Sequence, residues 1–143
     1  MFSEALMCFG ASSTIVDEDN NCDTSKEESF DSVEVTEGFW IVPEWKTPPD
    51  VQAMNIILNP RLAFGTGEHS TTRLCLLLLQ RLIKGEECFL DYRTGSGILS
   101  IAALKIGAFL SVGIDIEPLA ITSARQNAAL NNIGPENCNY AWL

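Results

Sequence analysis

Several things this chain lacks narrow what it can be. Histidine occurs once, at His69, and the five cysteines (Cys8, Cys22, Cys75, Cys88, Cys138) are scattered with no C-x-x-C pair. The four-ligand spacing of a zinc site is therefore missing, and reduced, mostly buried thiols are expected, with no metal. Long apolar runs are missing too: Leu74 to Leu79 falls far short of the roughly 18 to 20 residues of a membrane span and is flanked by Arg73 and Gln80-Arg81. No basic region precedes an apolar stretch near Met1, so no secretory signal is expected; the cytoplasm, or an organelle matrix, is the default compartment. Basic side chains are scarce, nine against nineteen acidic, and the net charge of −10 argues against a grip on nucleic-acid phosphates or an anionic membrane surface. A protein partner or substrate remains allowed.

What is present is one domain's worth of chain, 143 residues with 46% hydrophobic content, enough for one modest core. Ser3 to Gly10 reads as a short helical segment ending at glycine. From Asp17 to Glu37 the chain is acidic, with Lys26 its one basic residue, and this tract is expected to be mobile. Order returns at Phe39-Trp40-Ile41-Val42-Pro43-Glu44-Trp45 and breaks at Thr47-Pro48-Pro49, and Met54 to Leu58 is a strand candidate. Asn59 to Thr72 is a loop by its glycines and proline, ending in hydroxyl residues suited to capping a helix. That helix runs from about Thr71 to Ile83, with Leu74, Leu77, Leu78 and Leu82 as its apolar stripe and Lys84-Gly85 as its stop.

From Cys88 onward strand and helix alternate. Cys88 to Leu90 is a short strand, Ile98 to Ile106 a helix stopped by Gly107, and Leu110 to Ile114 a second strand. Pro118 to Asn131 is a second helix with proline in its first turn, and Cys138 to Leu143 begins a third strand. This is the βαβαβ half of a doubly wound sheet, whose right-handed crossovers put the strand ends carrying Asp91 and Asp115 on one edge. Ligands bind such sheets at that edge.

Asp91-Tyr92-Arg93-Thr94-Gly95-Ser96-Gly97 joins the first of these strands to its helix. A cofactor loop here ordinarily reads D-x-G-x-G-x-G, because the backbone must turn tightly and then come within contact distance of the ligand. Arg93 replaces the first glycine. Gly95 and Gly97 leave room where the loop approaches a cofactor, and the helix N-terminus adds unpaired N–H groups. Asp115, 18 residues after Gly97 at the end of the next strand, can accept both hydroxyls of an adenosine ribose. The plainer alternative is a βα turn whose glycines serve packing, with Asp115 as a helix cap.

The stretches N-P-R-L-A-F-G-T-G-E-H-S-T-T (Asn59 to Thr72), D-Y-R-T-G-S-G-I-L-S-I-A-A-L-K-I-G-A, G-I-D-I-E-P-L-A and N-A-A-L-N together resemble the S-adenosylmethionine-dependent ribosomal protein L-eleven methyltransferases, also called PrmA. The resemblance spans roughly Trp40 to Asn132, and the G-T-G-x-H-x-T-T block is its most specific part. It implies a protein-lysine methyltransferase fold of α/β class, S-adenosyl-L-methionine as cofactor, and a ribosomal or related lysine-bearing protein as substrate. It implies cofactor contacts at Thr72, Arg93, Gly95, Gly97 and Asp115, and places His69 in the loop lining the pocket. The division it suggests is a remnant of an N-terminal substrate-recognition domain plus the acidic tract (1–37), a linker and lead-in strand (38–58), and the N-terminal half of the methyltransferase domain (59–143).

Two departures bear on activity. Arg93 carries a Cβ where the backbone favours glycine, at about 1 to 2 kcal/mol. The family's Asn-Pro-Pro motif, which orients the acceptor nitrogen, occurs nowhere in the sequence, so no catalytic residue is assigned. The expectation is a truncated, impaired enzyme, with a non-catalytic fragment that binds cofactor or a partner as the alternative. A dinucleotide dehydrogenase is disfavoured, because the G-T-G-E-H-S-T-T block has no role in nicotinamide binding.

Overall fold

The computed structural model describes residues 30–61 and 69–143. The expected helix at Ser3 to Gly10, the acidic tract up to residue 29, and the glycines of the G-T-G block lie outside the described residues. The elements are β1 (Val33–Thr36), β2 (Phe39–Pro43), β3 (Met54–Leu58), α1 (Ser70–Leu82), β4 (Cys88–Tyr92), α2 (Ile98–Ile106), β5 (Leu110–Asp115), α3 (Pro118–Leu130) and β6 (Cys138–Trp142).

They form two three-stranded sheets. In the first, β1 pairs antiparallel with β2 through a turn at Gly38 (φ 75), and β2 runs parallel to β3. β1 corrects the expectation of a mobile tract reaching Glu37. Its one charge, Glu34, is exposed while Val35 is buried, so alternation on a pleated strand accommodates an acidic stretch that composition alone reads as unstructured.

The second sheet, in the order β4-β5-β6, is parallel throughout. It is the α/β half-sheet expected from the alternating pattern. Its inner rows are Phe89-Ser111-Cys138 and Asp91-Gly113-Tyr140, which α2 and α3 cover. Its outer rows, Leu90-Val112-Asn139 and Tyr92-Ile114-Ala141, carry no helix among the described residues, leaving Leu90 38% and Tyr92 44% exposed. Two-residue alternation thus separates a packed face from an open one.

The core centres on α2. Ile98, Ile101, Ala102 and Ala103 are buried on different sides of this helix, which packs against α1, α3, β3, β4 and β5. Its small side chains permit that close approach. α3 begins with Pro118 in its first turn and ends with Asn132 at φ 57. There Ile133 N–H reaches Ala128 O and Asn132 N–H reaches Ala129 O, the paired bonds of a left-handed helix stop.

α1 differs from its expected stripe. Cys75, Leu76, Leu79 and Ile83 face the core, while Leu74 and Leu82 are 57% and 47% exposed. A run of leucines satisfies two helical faces at once, and the neighbours β1 and α2 decide between them. The hydroxyl residues do not cap this helix either. Ser70, Thr71 and Thr72 lie inside its first turn, His69 occupies the cap position without a side-chain capping bond, and the His69 carbonyl accepts from Arg73 N–H. At the far end, the Glu87 carboxylate accepts from the N–H groups of Lys84, Gly85 and Glu86, which closes the connection to β4.

Candidate functional site

The ends of β4 and β5 lie side by side, with Tyr92 opposite Ile114, and the turn between β4 and α2 folds over them. Three alternate residues shape that turn. Arg93 adopts φ 61, Gly95 φ 53 and Gly97 φ 78, all in the left-handed region that disfavours a Cβ. Arg93 therefore occupies a glycine conformation, as the loop pattern predicts. Its side chain is exposed, and no ion pair joins it to Asp91 among the described residues.

Asp91 points the other way, into the core. It is 4% exposed, and its Oδ2 accepts from Thr94 Oγ1 at 2.7 Å, Ser100 Oγ at 2.8 Å and Ser100 N–H at 3.2 Å. A carboxylate from the strand thus caps the first turn of α2. Burial pushes its pKa above the usual carboxylate range, although the bonds from Thr94 and Ser100 pull the other way.

Asp115 faces the turn. One oxygen accepts Gly95 N–H at 3.1 Å and the other accepts Glu117 N–H at 3.0 Å, so a single carboxylate ties the glycine turn to the end of β5 and to the start of α3. The helix-cap role and the ligand role are compatible here, because each carboxylate oxygen retains a second acceptor position.

Gly97 packs closely on its inner side. It is buried, and a Cβ at this position would meet Tyr140 Oη at 2.8 Å and Ala124 Cβ at 3.0 Å. Its missing side chain admits α3 and β6 to the turn. Gly113 does the same one strand away, where a Cβ would stand 2.4 Å from Tyr140 Cδ1 and 2.7 Å from Thr94 Oγ1. The Tyr140 ring lies across Gly113 with its hydroxyl buried near Ser100 and Cys138 and without a well-formed hydrogen bond, and burial drives its acidity far below that of an ordinary phenol.

The structure brings Arg93, Gly95, Gly97 and Asp115 together. Thr72 arrives on a different element, half-buried in the first turn of α1, and no hydrogen bond among the described residues joins it to the turn. Cys75, three residues on, sits close enough to Asp91 for the carboxylate to help burial raise its thiol pKa, so the start of α1 borders the same region. His69 is exposed at the cap of α1. No group of acidic, cysteine and histidine side chains among the described residues could hold a metal. No described helix is long and apolar enough to cross a membrane.

Comparison with known proteins decides the family. Residues 2–141 match the family described as Ribosomal protein L11 methyltransferase (PrmA). The chain belongs to this family. It is 50% identical over 107 residues to a ribosomal protein L11 methyltransferase of Thiobacillus denitrificans, an alignment covering 75% of this chain and 36% of the relative. A Neisseria meningitidis serogroup B relative of the same description is 49% identical over the same shares. The chain is also similar to the crystal structure of a ribosomal protein L11 methylase from Lactobacillus delbrueckii subsp. bulgaricus, with 36% identity, a TM-score of 0.71, and coverage of 80% of this chain and 58% of that one. The aligned part thus spans little more than a third of the length of these curated relatives.

Asn127 and Asn131 are the polar residues sequence reasoning left without a role. Asn127 in α3 and Asn131 at its C-terminal cap are buried four residues apart, and both hydrogen-bond to β3 and its continuation. The signal was there in N-A-A-L-N, since two amides at helical spacing on a buried face need partners.

Proposed function

We propose that this chain binds S-adenosyl-L-methionine at the edge formed by the Asp91-to-Gly97 turn and Asp115, as part of a protein-lysine methyltransferase acting on ribosomal protein L11 or a related lysine-bearing protein. The observation that carries the reading is the Asp115 carboxylate, bonded to Gly95 N–H at 3.1 Å beside the N-terminus of α2. Its remaining acceptor positions suit the vicinal hydroxyls of a ribose. Arg93, turned to solvent, leaves its backbone at the loop position where the family contacts the cofactor. Thr72 approaches from the first turn of α1.

The bound donor supplies an already activated methyl group on a sulfonium, which passes to a neutral amine as the sulfur keeps the bonding pair and the nitrogen releases a proton. What these residues contribute is placement. Asp115 and Gly95 fix the ribose end, and Gly97 lets α3 and β6 brace the turn from behind. The net charge of −10 suits a basic protein substrate.

Calorimetric titration with S-adenosylhomocysteine tests the reading. Saturable binding by the unsubstituted chain is expected, with affinity about tenfold weaker or worse in Asp115→Ala, since the ribose hydroxyls lose a charged acceptor. Equal binding by both proteins would remove Asp115 from the site, and transfer of labelled methyl to L11 would establish the reaction itself.

A further inference from the structure

Arg93 is the residue of the turn whose side chain the fold itself does not use. It is exposed, and among the described residues no ion pair or hydrogen bond engages its guanidinium. β4 and β5 run in register up to Tyr92 and Ile114, and Thr94 N–H donates to Ile114 O at 3.0 Å just beyond. Arg93 therefore stands beside Asp115, about one strand spacing (roughly 5 Å) away at the backbone. The two side chains do not pair: Asp115 is held by Gly95 N–H and Glu117 N–H, whereas Arg93, at φ 61, reaches solvent.

The backbone donors of the turn are engaged within the chain. The N–H groups of Thr94, Gly95, Gly97 and Ile98 donate to Ile114 O, Asp115 Oδ2, Thr94 O and Ser96 Oγ, and Ser100 N–H donates to Asp91. The unpaired N–H groups expected at the start of α2 are thus not free at these positions to receive an anion. At the ends of β4 and β5 the other charged residues are Asp91, Asp115 and Glu117, all acidic. A carboxylate brought to this edge gains little from the backbone and is opposed by its neighbours, so a cation must accompany it.

The methyl donor and its product each carry such a carboxylate, on the amino-acid end remote from the adenine. We infer that the Arg93 guanidinium binds this carboxylate while Asp115 takes the ribose, which makes Arg93 a specificity residue for the amino-acid end of the donor. The inference rests on the donor-binding reading. A guanidinium offers two parallel N–H bonds that match a carboxylate, a contact that a glycine at this position lacks. The strained backbone at Arg93 thereby serves a charged contact at the rim of the site.

Calorimetric titration of the full chain with S-adenosylhomocysteine and with its decarboxylated analogue, identical but for the missing carboxylate, tests the inference. Arg93→Gln should weaken S-adenosylhomocysteine about tenfold and leave the analogue as tight or slightly tighter. Added salt should weaken S-adenosylhomocysteine in the unsubstituted chain more than in Arg93→Gln. Lys105→Gln removes the same charge from the last turn of α2 and should leave both affinities unchanged. Equal weakening of both ligands by Arg93→Gln, tighter S-adenosylhomocysteine in that variant, or an equal effect of Lys105→Gln overturns the inference. Asp115→Ala should weaken both ligands alike, because both carry the ribose. Uptake that depends on Asp115 and not on Arg93 leaves the donor reading standing and sinks the inference; no uptake of either ligand by the unsubstituted chain sinks both.

Discussion

A backbone at φ 61 suits the glycine that the loop pattern calls for, and Arg93 holds it instead. Because the side chain reaches solvent, the cost is conformational rather than a buried charge. Arg93→Gly is therefore expected to raise stability by about 1 kcal/mol, part of the relief being offset by the greater freedom of glycine in the unfolded chain. Chemical denaturation would measure it. Asp91 presents the opposite case, a charge sealed inside. Its folded-state pKa lies above the ordinary value of 3.8, so the folded chain holds a proton that the unfolded chain releases. Stability from this group is fully present below that ordinary value and is lost as pH rises through the raised one. Asp91→Asn keeps an oxygen to accept from Thr94 and Ser100 and removes the charge. Thermal melts across acid to neutral pH should show a flatter profile and a higher midpoint near neutrality than the unsubstituted chain.

At the level of elements, Tyr140 explains why a glycine interrupts β5. The ring from β6 lies where a Gly113 side chain would be, so Gly113→Ala should cost about 3 kcal/mol through overpacking. Tyr140→Phe should be neutral or stabilising by up to about 1 kcal/mol, because the buried hydroxyl lacks a good partner. Equilibrium unfolding of the two variants would separate volume from polarity. The same elements show what could be read in advance. Met54–Leu58, Ile98–Ile106 and the β4-to-β6 alternation were legible because local period, glycine stops and Pro118 all agree. The packed face of α1 was not, since its leucines repeat on more than one side and only its neighbours β1 and α2 choose. β1 was hidden for a related reason: Val33 and Val35 are too few to stand out among acids, yet pairing with Trp40 and Ile41 suffices to order them. In the site, the acid and glycines were legible as a pattern, whereas the inward role of Gly97 depends on Ala124 and Tyr140, which are distant in sequence.

For the molecule as a whole, the outer rows of the second sheet matter most. Leu90, Tyr92, Val112 and Ile114 form an apolar surface beside the edge strands β4 and β6, with Trp142 67% exposed near one margin. Contiguous apolar area next to strand edges left open among the described residues favours self-association. Sedimentation velocity should show concentration-dependent growth, reduced in Leu90→Lys with little change in melting temperature, since Leu90 projects away from the helices.

The enclosure of α2 also sets an order of events. Neither sheet can complete its inner surface until this helix is seated, and the strands flanking it in space, β4 and β5, also flank it along the chain. Closing those short loops sacrifices the least chain entropy, so β4-α2-β5 is the natural folding nucleus and β1 to β3 dock onto it afterwards. Perturbations within α2 should slow refolding, while those confined to the first sheet should chiefly hasten unfolding.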